Sequence, residues 1–123
     1  MDDARRFLPL TGQQFQILLA LVDADRHGYG IIREIADRTA GAFKLGTGTL
    51  YTAIARLEEL QLVEESTRRR SADDDERRRY YRLTPLGGAV LRAETARLDE
   101  LVRHARRKGV HATPPRPALS RSK

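Results

Sequence analysis

Between Leu45 and Glu65 the chain reads LGTGTLYTAIARLEELQLVEE. Its first residues are small or hydroxylated: Gly46, Thr47, Gly48 and Thr49, followed by Tyr51 and Thr52. Hydroxyls so placed can donate to phosphate oxygens or to base edges. Small residues at a helix start also let backbone N–H groups approach an anion, which the helix dipole favours. Plain capping and core packing use the same residue types, so the run gains meaning only from the elements around it. No other constellation competes with it. His27, His104 and His111 have no metal-site spacing, and Gly46-x-Gly48 lacks the third glycine of a dinucleotide fingerprint. Asp73–Glu76 lacks the alternate ligand spacing of a calcium loop, and there is no defensible Ser-His-Asp or activated-lysine arrangement. The expectation is therefore no catalytic residue, no metal, no cofactor and no enzyme.

The 123 residues suit one small domain with a tail. With 40% hydrophobic and 33% charged residues, no tryptophan and seven Phe or Tyr, the core should be modest and mostly aliphatic. The absence of cysteine excludes a disulfide framework and thiolate metal sites. The longest aliphatic run, Ile17–Val22, falls far short of the ~20 residues that span a bilayer. Asp2 and Asp3 do not fit a secretory leader, so the expected location is cytoplasmic, without membrane contact. The net charge of +6 is a tail property: residues 103–123 hold seven Lys or Arg and no acid, leaving the rest at −1. The high pI alone therefore says little about a nucleic-acid partner.

Thr11, with Gln14 three residues on, reads as a capping box, and Leu10 with Phe15 as a hydrophobic staple. Phe15, Leu18, Leu19 and Val22 then continue a first helix to about Asp23. His27-Gly28-Tyr29-Gly30 reads as a turn, and Ile31/Ile35 and Ile32/Ala36 as a second helix to about Thr39. Phe43 and Leu45 permit a very short strand. A third helix starts near Gly46 or Thr47 with Leu50, Ile54, Leu57 and Gln61 on its inner side. Gly48, Thr49, Thr52, Ala55, Arg56 and Glu59 lie outward, with Tyr51 on the border. Residues 62–67 and 79–84 read as two strands joined by a charged hairpin loop, with Tyr81 and Leu83 on one face. Thr84-Pro85 starts a fourth helix that runs to about Lys108, with Leu91, Leu98, Leu101 and Val102 along one stripe. Gly109 and three prolines between 114 and 117 end it, and the tail is expected to be disordered.

Helix, helix, helix, hairpin, helix is the order of a winged helix-turn-helix. The fold class is then mainly α (α+β): a DNA-binding domain with a two-stranded wing over residues 1–84, an additional C-terminal dimerisation helix over 85–108, and a basic tail over 109–123. In this architecture the third helix enters the major groove and the wing touches the flanking backbone. Thr47, Thr49 and Thr52 would face DNA, and Tyr51 would offer its ring to a thymine methyl or its hydroxyl to a phosphate. Arg56 joins them on the helical wheel, and Arg77, Arg78 and Arg79 from the basic wing, although the acids at the wing tip would repel a phosphate. The apolar stripe of the last helix suggests a partner helix from a second copy, or packing on the chain's own first helix. Two other functions fit the composition: non-sequence-specific DNA association through the tail, or a winged-helix protein-interaction module.

The chain resembles the PadR family of bacterial transcription regulators, in its short form with one C-terminal helix, over about residues 10–105. ILLALVDADRHGYGIIREI resembles the family's first two helices and H-G-Y-G segment, LGTGTLYTAIARLEELQLVEE its G-T-L-Y recognition helix, and RRRYYRLTPLGGAVL its Y-x-L-T return strand and dimerisation helix. The resemblance implies a homodimeric repressor on a palindromic operator in double-stranded DNA, with Tyr29, Thr47, Thr49, Tyr51 and Thr52 facing DNA. It also implies that the fourth helix packs on the partner's first, placing Leu18, Val22, Leu91, Leu98, Leu101 and Val102 at the dimer contact. A small-molecule effector at the dimer centre is common in the family. Two departures stand out: Thr52 where many relatives carry proline, and Gln61 where many carry glycine.

Overall fold

The computed structural model describes residues 2–66 and 78–111, with side chains from Ala4 onward. A short helix α1 (Asp2–Arg5) precedes α2 (Gly12–Leu21), β1 (Arg26–His27), α3 (Gly28–Arg38), α4 (Thr47–Glu59), β2 (Val63–Glu65), β3 (Tyr80–Leu83) and α5 (Pro85–Arg107). The three strands form one antiparallel sheet in the order β1-β3-β2.

Local chemistry sets most boundaries. Thr11 Oγ1 accepts the Gln14 N–H at 3.0 Å, and Gln14 Oε1 accepts the Thr11 N–H at 3.0 Å, so the reciprocal capping box opens α2. Thr84 Oγ1 accepts the Gly87 N–H at 2.9 Å and donates to the Gln61 carbonyl at 2.6 Å. Together with Pro85 at the first helical position, it starts α5 and ties that start to the end of α4. α3 ends where Ala40 and Gly41 take positive φ, with the Gly41 N–H on the Ala36 carbonyl at 2.8 Å.

The core is aliphatic. Ile17, Leu18, Ala20 and Leu21 of α2 meet Ile31 and Ile35 of α3, Leu50, Ile54 and Leu57 of α4, and Val90 and Leu91 of α5. Burying each large side chain of the α4 stripe contributes about 2 kcal/mol. That stripe fixes which face of α4 is left for solvent. α5 crosses both α1 and α2. Its start can lie against Leu62, just before β2, only because residue 87 is glycine: a Cβ there would overlap the Leu62 carbonyl oxygen.

Several expectations are corrected. His27–Gly30 is not a free turn: His27 is the N-cap of α3, its Nδ1 accepting the Gly30 N–H at 3.1 Å, and Gly28, Tyr29 and Gly30 form the first turn. Phe43 and Leu45 form no strand; Leu45 is buried in the core, while the Phe43 N–H goes to Thr39 Oγ1 at 3.2 Å instead of a ladder. The sheet gains the strand Arg26–His27, so β3 is central and the wing is anchored to the start of α3. Gln61 lies beyond the end of α4 at φ +65° rather than on its inner stripe. Leu18 and Leu91, expected at a dimer contact, are buried in the chain's own core. The wing tip, Arg77 and the tail from residue 112 lie outside the described residues.

Candidate nucleic-acid interface

α4 begins at Gly46 without a side-chain cap, so its first N–H groups are not covered by a neighbouring hydroxyl. Leu50, Ala53, Ile54 and Leu57 hold it to the core, and Thr47, Gly48, Thr49, Tyr51, Thr52, Ala55 and Arg56 are exposed. Arg56 contacts Glu59 at 3.3 Å, but both side chains are well exposed, so this pair constrains the guanidinium little.

Two hollows flank this face. One, of about 590 Å³, is walled by Thr11, Gln13 and Gln14 at the start of α2 and by Thr49, Thr52 and Arg56 of α4. The other, of about 430 Å³, lies between α4, the start of α3 and the base of the wing. Tyr29, Tyr51, Arg78 and Arg79 line it, along with His27, Gly28 and Tyr81. The structure therefore gathers the expected residues into two groups on either side of one helix, with Thr47 at the helix start.

Tyr29 and Tyr51 are large, exposed side chains, at 58% and 45% of their full accessibility. The guanidinium of Arg33 lies 5.8 Å from the centre of the Tyr29 ring. Tyr81 is buried beneath the second hollow, and burial, with Glu58 nearby, pushes its phenol above the usual range. It stays a neutral hydroxyl at physiological pH.

Nothing in the sequence marks His27, Tyr81, Gln13 or Gln14 as lining this face. Gln14 reads only as a capping residue, and nothing local to His27 shows that β1 pairs with β3 and sets His27 opposite Tyr80. Their rings meet edge to face at 5.2 Å.

The face that would meet a second copy is divided. Val22, Leu101 and Val102 are exposed at 54%, 53% and 45%, and Leu98 is half-buried. In the middle of α5, Glu94 is only 2% exposed. It accepts the Leu10 N–H at 3.1 Å and two hydrogen bonds from Arg97, at 2.6 and 2.9 Å. The Arg97 guanidinium, with help from Leu10, holds this carboxyl below the usual glutamate range against the opposing effect of burial. Among the described residues no cluster of His, Asp and Glu could hold a metal ion, and no helix is long and apolar enough to cross a membrane.

Three helices with a two-stranded wing, and a third helix turning a hydroxyl-rich face outward, define a winged helix-turn-helix protein. The transcriptional regulator PadR-like family matches residues 17–93. A transcriptional regulator from Clostridium thermocellum superposes with a TM-score of 0.62 at 29% identity, covering 89% of this chain and 96% of that one. A PadR family transcription regulator from Clostridium difficile R20291 does so with a TM-score of 0.65 at 25% identity, covering 80% and 98%. An uncharacterized protein of Lysinibacillus sphaericus is 36% identical over 75 residues, 61% of this chain and 67% of its own length. The chain belongs to the PadR-like family of transcriptional regulators.

Proposed function

We propose that the protein is a sequence-specific DNA-binding regulator that acts as a homodimeric repressor on a palindromic operator. The observation that carries this reading is the outward face of α4. One apolar stripe fixes the helix, and the opposite side offers Thr49, Thr52 and Arg56, all exposed, with Thr47 exposed at the helix start. Such a helix fits a major groove, where hydroxyls and a guanidinium read base edges and grip phosphates. Tyr29, Tyr51, Arg78 and Arg79 flank it towards the wing, and Arg77 extends the same basic run in sequence.

Dimerisation through the second half of α5 is supported by Val22, Leu101 and Val102, which the protomer leaves in solvent. Two-fold symmetry would set the two α4 helices about one DNA turn, ~34 Å, apart, so the operator would be palindromic. The proposal places the protein in the cytoplasm. A small-molecule effector at the dimer centre, which the family resemblance implies, would be an addition to this reading.

Thr49→Ala tests the reading. Thr49 is exposed, so the variant should keep its melting temperature while losing about tenfold in preference for operator over random duplex. Equal losses on both duplexes would remove base readout from this helix. With about eight phosphate contacts per dimer, affinity should fall with salt at a log–log slope near −7.

A further inference from the structure

The hollow between the start of α2 and the outward face of α4 is lined by Thr11, Gln13, Gln14, Thr49, Thr52 and Arg56. Its α2 wall is a set of donors held in place. The capping box spends acceptors only: Thr11 Oγ1 takes the Gln14 N–H and Gln14 Oε1 takes the Thr11 N–H, each at 3.0 Å. The box itself uses neither the Thr11 hydroxyl proton nor the Gln14 NH₂. Both side chains line the hollow, so the box presets where these donors stand. Across the hollow, Arg56 directs one N–H at Glu59, 3.3 Å away, and a guanidinium carries five.

Gly48 borders the same hollow. Two other glycines are explained by what a Cβ would strike: the Leu62 carbonyl oxygen at Gly87, and the Tyr51 hydroxyl at Gly28. At Gly48, in the first turn of α4, a Cβ meets nothing within 4 Å among the described residues. Alanine is the better helix former, so glycine there suits close approach by something outside the chain.

A helix with its side chains, about 10–12 Å across, fills a major groove about 12 Å wide, so a DNA strand must pass along each flank. The base of the wing stands on one flank of α4, and the α2 hollow lies on the other. We infer that this hollow receives the DNA strand on the second flank. Its backbone passes over Gly48, and one phosphate is held by the Thr11 hydroxyl, the Gln14 carboxamide and Arg56. Phosphate oxygens make short, charge-assisted bonds to such donors. The capping box is thereby a backbone-positioning element as well as a helix start, and α2 joins α4 and the wing in setting the docking angle. The inference rests on the DNA-binding reading above.

Gln14→Glu separates the two roles of the box. Glutamate keeps the acceptor for the Thr11 N–H, so the melting temperature should not fall. It replaces the NH₂ donor with a negatively charged oxygen, so operator and random duplex should both bind about tenfold more weakly, with the preferred bases unchanged. Gly48→Ala should melt no lower than wild type and lose a similar factor on both duplexes. The seat is located on the operator recovered by selection from random duplexes, with single neutral methylphosphonates stepped along each strand. At one position per half-site the gap between wild type and Gln14→Glu should shrink to about twofold or less, because the repelled charge is gone, and elsewhere it should persist. The inference is overturned if Gln14→Glu or Gly48→Ala binds as tightly as wild type, if either changes the preferred bases, or if the gap persists at every position. Saturable inorganic phosphate binding that Gln14→Glu abolishes and that competes with operator would overturn it too, assigning the hollow to a free anion. Failure of the DNA-binding reading itself would show earlier, as a selection that enriches no sequence.

Discussion

Replacing Glu94 with glutamine changes one oxygen to an NH₂ group at the most buried charge described. The carboxylate accepts three hydrogen bonds there, one from Leu10 and two from Arg97. The amide keeps one acceptor and turns a donor towards a guanidinium that can only donate. Hydrogen bonds to charged groups contribute about 1.5–3 kcal/mol. Losing one or two of them is partly offset by no longer burying a charge, so the expected destabilisation is about 2 kcal/mol. For a domain of this size that lowers the melting temperature by about 8 °C. The dependence on pH has a definite sign. The carboxyl is held below its ordinary value in the folded protein, so the unfolded chain binds the proton more readily. The stabilisation is complete above the unfolded glutamate value of about 4.3 and is lost as pH falls through the lower folded value. Melting curves of both proteins should therefore differ most near pH 7 and converge as the solution is acidified below pH ~4. A gap that widens on acidification, or none at neutral pH, would refute this account of how α5 is fastened to the segment before α2.

Gln61 occupies the left-handed region at φ +65°, so Gln61→Gly should raise stability by about 0.5–1 kcal/mol, read as a higher melting temperature. Gly87→Ala drives a methyl into the Leu62 carbonyl and should cost about 3 kcal/mol in urea unfolding, with a shift in midpoint and an unchanged slope. Leu101→Asp combined with Val102→Asp places charges on the exposed part of α5. It should yield a folded monomer by sedimentation equilibrium, with operator affinity reduced at least a hundredfold.

The parts of the fold that were legible depend on neighbours in sequence. Thr11 with Gln14, Thr84 with Pro85, and the Leu50-Ile54-Leu57 stripe each carry their meaning within one or two helical turns, and the structure places each as read. What escaped depends on distant partners. A strand of two residues, Arg26–His27, has no period to detect and exists only because β3 returns beside it. The α5 stripe is continuous in sequence, yet Leu91 lies in the chain's core while Leu101 and Val102 lie in solvent. Periodicity reports which residues share a face, not how far along the helix its own domain reaches. Leu18 and Val22 make the same point on α2, four residues apart with opposite fates. The outward row of α4 could be read because a single stripe fixes the helix rotation. The seating of Tyr51 over Gly28 could not, because 23 residues and a helix-to-helix packing separate them.

The most direct test of the central claim is a selection of binding sites from random duplexes by purified wild-type and Thr49→Ala protein in parallel. The account predicts that wild type enriches a palindrome whose half-sites lie about one helical turn apart, and that Thr49→Ala blurs specific base positions within each half-site. Enrichment of no sequence by wild type, or the same motif at the same strength from both proteins, would contradict it.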